Sequence, residues 1–162
     1  RIVDVNGDGI TELPRAVLMA GYKDTSSSDA VYMLDWYAYG IGKVPAKVAT
    51  TYQNISDAWS LLIDQKWHDR ITAIKANDGG LSYVEFFEYR KNKMSIPLFN
   101  IYCATGSNRE YYAERTDLIQ LGQTTQAIYF AKLTNEGEQS ELALTGDEIK
   151  ARFSLVNQAW NN

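Results

Sequence analysis

Alternation of apolar and polar side chains runs through most of the chain and predicts strands. Over 31–38, Tyr32, Leu34, Trp36 and Ala38 share one alternating face, Gly40, Ile41 and Gly42 offer a turn, and 44–52 returns as a second strand. Shorter strands are predicted at 58–63 (AWSLLI) and 71–76. Asn77, Asp78, Gly79 and Gly80 then form a hairpin turn, because these residues tolerate positive φ at little cost. The returning segment 81–89 (LSYVEFFEY) is rich in side chains that suit a pleated surface. Residues 96–104 place Phe99, Ile101 and Cys103 on one face, and 117–121 with 125–133 forms a last hairpin across Gly122 and Gln123. The stretch 23–29 (KDTSSSD) has no core-forming side chain and reads as a surface loop.

One segment breaks the alternation. Ile149, Phe153, Val156 and Trp160 recur at i, i+4, i+7 and i+11, one face of a 3.6-residue period, and predict a helix over 147–160. Thr145 with Glu148 three residues on supplies a capping box for its start. The resulting fold class is α+β, an antiparallel β-sheet built from hairpins with a packing C-terminal helix. The texture changes after Tyr52, which suggests two units, 1–53 and 54–162.

Charge and composition narrow the function classes. Twenty acidic residues against 16 basic ones give a net charge of −4, a poor match for a phosphate backbone, so nucleic acid is not an expected partner. No apolar run approaches the roughly 20 residues of a membrane span. Cys103 is the only cysteine and His68 the only histidine, which removes an intramolecular disulfide and multi-Cys or multi-His metal sites. The chain begins at Arg1 and enters a motif within three residues, so it reads as a fragment or processed product whose signal peptide or lipid anchor is outside view.

That motif is Asp4-Val5-Asn6-Gly7-Asp8-Gly9-Ile10-Thr11-Glu12-Leu13. Oxygen side chains at positions 1, 3, 5 and 9 surround a glycine that permits a sharp turn, and calcium requires six to eight hard oxygen ligands at about 2.3–2.6 Å. Asp4, Asn6, Asp8 and Glu12 are the candidate side-chain ligands, with the Ile10 carbonyl between them. The bland alternative is an Asx- and Gly-rich turn without an ion. An EF-hand needs an apolar residue at position 8 and Glu at position 12, where this chain has Thr11 and Arg15. Arg15 itself is a candidate to reach back to Asp8 or Glu12 in place of an ion.

The string DVNGDGITEL resembles the loop of FG-GAP/VCBS repeats, D-x-[DN]-G-D-G-x-x-[DE]-L. The resemblance implies calcium in an inter-strand hairpin of a β-propeller blade, with the hairpin at 31–52 as later strands of that blade. It covers roughly the first 50 residues. The order DAWSLLI…RITAI…VEFFEY…PLFNIYCA…IYFAKL is more weakly similar to PsbP-like domains, which implies a twisted antiparallel sheet flanked by helices and a binding or assembly role. The combination also resembles cell-surface proteins or lipoproteins of Gram-positive, clostridial-type bacteria.

Other candidates are weaker. His68 beside Asp69 has no G-x-S-x-G nucleophile to serve, and Cys103 lies on the apolar face of a predicted strand. Glu85 and Glu88 fall on opposite faces of one strand and do not pair as glycosidase carboxylates. Trp36, Trp59, Trp67, Tyr111 and Tyr112 are candidates for stacking on sugars, although most aromatic side chains in such a sheet are core. The expected function is therefore a non-catalytic, extracellular or cell-surface binding or structural module with a calcium loop. It is expected to be monomeric, with an unidentified protein or glycan ligand. The alternatives are a cell-surface hydrolase with an unrecognised site, or a carbohydrate-binding domain.

Overall fold

A computed structural model describes residues 3–26 and 28–156. Strands make up 48% of the described residues and helices 14%, so the helix-packed α+β expectation gives way to a mostly β architecture of two antiparallel sheets. The first sheet is built from β1 (Glu12–Leu18), β2 (Tyr32–Ala38), β3 (Ala46–Asn54), β4 (Trp59–Leu62) and β10 (Phe153–Leu155), in that spatial order. The second contains β5 (Ile71–Asp78), β6 (Leu81–Arg90), β7 (Lys93–Thr105), β8 (Ile119–Gln123) and β9 (Ala127–Leu133), in the order β5-β6-β7-β9-β8.

Both sheets contribute to one core. Met33, Tyr52, Trp59 and Leu61 from the first sheet bury themselves with Ile71, Phe86, Phe99 and Ile101 from the second. The Tyr52 and Phe86 rings meet edge-on at 5.5 Å across the layers, a favoured arrangement for aromatic quadrupoles. What covers each sheet is therefore the other sheet, and no long helix is required for the task. The suggested division at 53/54 falls within β3, which hydrogen-bonds β2 on one side and β4 on the other.

The carboxyl-terminal helix is the clearest correction. The capping box is present: Thr145 Oγ1 accepts from the Glu148 N–H at 3.2 Å, and Glu148 Oε2 accepts from the Thr145 N–H at 2.7 Å. Helix α3, however, ends at Arg152 (Gly146–Arg152), and Phe153 turns to extended backbone to begin β10. Two gains explain the switch. Pairing β10 with β4 satisfies backbone groups that a bare edge would leave open, and Phe153 inserts its ring between Trp59 (5.9 Å) and Tyr129 (5.7 Å). Trp160, expected on the same helix face, lies outside the described residues. Two short helices, α1 (Arg109–Ala113) and α2 (Asn135–Glu138), lie in loops that carry no sequence periodicity.

Candidate metal centre at the amino-terminal loop

The acidic loop is closed at its base by a β-bridge between Val3 and Glu12, with the Glu12 N–H donating to the Val3 carbonyl at 2.8 Å. Within it, Asp4 acts as the organising side chain. Its Oδ1 accepts from the Gly7 and Asp8 N–H groups (2.6 and 3.1 Å), and its Oδ2 accepts from Gly9 (2.8 Å). Asp8 Oδ1 accepts from the Ile10 N–H at 2.8 Å. Gly7 and Gly9 both carry positive φ, which lets the chain curl around the Asp4 carboxylate.

This curl brings one carboxylate oxygen each from Asp4, Asp8 and Glu12 within 4.8 Å of one another. Two oxygens on opposite sides of a calcium ion lie about 4.6–5.2 Å apart, so the spacing suits a shared ion. All the donors are hard oxygens, the chemistry calcium prefers to zinc or copper. Asn6 and Ile10, the other expected ligands, occupy the same loop. Asn6 turns its Nδ2 to Asp8 Oδ2 at 2.9 Å, and Ile10 is held by its N–H on Asp8.

Glu12 differs from its two acidic neighbours. Asp4 and Asp8 are exposed, whereas Glu12 is fully buried, at 0% exposure. Its Oε2 accepts from the Val5 N–H at 2.8 Å, but Oε1 is buried with no hydrogen-bond partner among the described residues. A buried carboxylate oxygen without a donor is costly, and a cation bound beside it would offset that cost. Arg15 points away from Glu12. Three residues along a strand reverse the side-chain direction, so Arg15 and Glu12 occupy opposite faces of β1.

The remaining candidates separate into surface and core. His68 is exposed, 3.4 Å from a still more exposed Asp69. Trp36, Trp59 and Trp67 are buried, Trp67 donating its indole N–H to the Leu142 carbonyl at 2.8 Å, while Tyr111 stays exposed beneath the Arg115 guanidinium. Burial, aided by the nearby Asp57 charge, pushes the Cys103 thiol up to about 11 from 9.0, away from thiolate chemistry at neutral pH. Glu88 is buried on the core-facing side of β6, where Arg90 Nε (2.5 Å) and Ser140 Oγ (3.0 Å) satisfy it. Neither the burial of Glu12 nor that of Glu88 was legible in the sequence.

No family model, curated protein or solved structure matches this chain in comparison.

Proposed function

We propose that this protein is a non-catalytic, extracellular or cell-surface binding or structural module whose amino-terminal loop holds calcium. The observation that carries this reading is the buried, unpartnered Glu12 Oε1 facing a loop that already gathers Asp4 and Asp8. Asn6 and the Ile10 carbonyl complete the proposed ligand set, following the FG-GAP/VCBS pattern of the loop. On that pattern the protein sits at the cell surface. Export suits a loop of modest affinity, since extracellular calcium modules work at dissociation constants of about 10⁻⁴–10⁻³ M. It also suits a chain whose single thiol is buried.

Calcium binding and folding are linked. An ion that binds only the folded state adds about 2.7 kcal/mol of stability at a hundredfold excess over Kd. For a chain of this size that raises Tm by about 5–10 °C. Scanning calorimetry of the wild type and Asp8→Ala, each in calcium and in chelator, tests the reading. The expected result is a calcium-induced rise in the wild type and none in Asp8→Ala, with similar Tm values in chelator. Equal shifts in the two proteins would reduce the loop to an Asx-rich turn.

A further inference from the structure

The register of the first sheet places a second feature beside the acidic loop. Val3 bridges Glu12, Glu12 pairs with Ala38, and Ala38 pairs with Ala46. The acidic loop and the connection between β2 and β3 therefore leave the same end of the sheet, with neighbouring strands about 4.8 Å apart. That connection, residues 39–45, is a finger with an apolar tip. The Lys43 N–H closes a turn onto the Gly40 carbonyl at 3.1 Å and leaves Ile41 at its apex. Ile41 is 105% exposed, Val44 89% and Tyr39 55%; Ile10, at the end of the acidic loop, is 51% exposed. Large apolar side chains held this far into water, and clustered at one end of a sheet, mark a surface that meets something apolar.

We propose that this end of the molecule docks onto an anionic lipid surface when calcium fills the loop, a proposal that rests on the calcium reading above. The convex shape favours a bilayer over a protein groove, because a protruding tip of aliphatic and aromatic side chains backed by a lysine can sink into the boundary between headgroups and acyl chains without a matching pocket. The charges supply the switch. Without an ion, the exposed Asp4 and Asp8 carboxylates repel a negative surface. With calcium, the charge of the three carboxylates falls from −3 to −1, which lifts most of that repulsion. The motif offers four side chains and one carbonyl to an ion that takes six to eight oxygens, so positions stay open for phosphate or carboxylate oxygens of lipid headgroups. Lys43 at the tip offsets the one negative charge that remains.

Flotation of the full chain with phosphatidylcholine vesicles, with and without phosphatidylserine and in calcium or chelator, tests the proposal. The same proteins are melted with calcium alone, which reports on the ion independently of lipid. The wild type is expected to float with phosphatidylserine vesicles in calcium and stay in solution in chelator. Ile41→Asp, an exposed change, is expected to keep the full calcium-induced rise in Tm and to lose vesicle partitioning by at least about tenfold. A wild type that shows the thermal shift but never floats overturns the lipid proposal and leaves the calcium reading standing; the finger would then suit a protein pocket. Flotation unchanged by Ile41→Asp also overturns it. A wild type without any thermal shift ends the calcium reading, and flotation equal in calcium and chelator then ends the switch with it.

Discussion

Glu12 shows how much one side chain's environment adds to a motif. The spacing of Asp4, Asn6, Asp8 and Glu12 was visible in the sequence because turn residues and carboxylates recur there at short intervals. Spacing does not reveal that Glu12 is sealed from water while Asp4 and Asp8 are not. That depends on the Val3–Glu12 bridge and on which face of β1 carries the side chain. An orphaned carboxylate oxygen leads to a prediction of opposite signs under two conditions. In Glu12→Gln, the amide oxygen keeps the Val5 N–H bond, and the new NH2 group can donate toward the Asp4 or Asp8 carboxylate. In chelator this variant should be more stable than the wild type by about 1–2 kcal/mol, because an unsatisfied buried charge has been removed. In calcium it should be the less stable protein, because a ligand is lost. Denaturant melts under both conditions check the crossing, and a Glu12→Gln protein that keeps the wild-type calcium shift would remove Glu12 from the ligand set.

At the scale of elements, local pattern located most of the strands, and long-range pairing decided the rest. The hairpin from β5 to β6 lies where alternation and the Gly79-Gly80 turn put it. β1 escaped notice because Pro14 and Arg15 interrupt its pattern; as an edge strand, with β2 on one side and only the Val3 bridge at Glu12 on the other, it tolerates a proline that a central strand would not. Pattern failed at the carboxyl terminus for a related reason. Ile149 and Phe153 sit four residues apart, as helix faces require, yet Phe153 belongs to a strand whose partner, β4, lies roughly ninety residues earlier. No local period encodes that partnership. Phe153 stacks on Trp59 and packs against Tyr129, so Phe153→Ala opens a cavity and should cost about 3–5 kcal/mol in equilibrium unfolding. A loss below 1 kcal/mol would show that β10 is a loosely attached edge.

For the molecule as a whole, the issue is whether calcium at one end of one sheet can be felt everywhere. The two sheets are joined by more than apolar packing. Asp57, in the turn between β3 and β4, accepts from Ser82 Oγ of β6 at 2.8 Å through its carboxylate, and from the Tyr129 hydroxyl of β9 at 2.8 Å through its carbonyl. Tyr22, just beyond β1, donates its hydroxyl to the Ala73 carbonyl of β5 at 2.6 Å. The shared core and these ties favour all-or-none unfolding, in which near- and far-ultraviolet circular dichroism follow one transition and calcium moves that single transition. The texture change after Tyr52 suggests a separate unit starting at residue 54, and that can be tested directly. A chain of residues 54–162 lacks β1, β2 and nearly all of β3, leaving Trp59, Leu61 and Phe86 without Met33 and Tyr52 against them. It should lose near-ultraviolet signal and cooperative melting while keeping much of its strand content. If it instead melts as sharply as the full chain, with a native near-ultraviolet spectrum, the second sheet with β4 and β10 is a self-sufficient domain, and calcium at the amino-terminal loop would stabilise only the strands beside it.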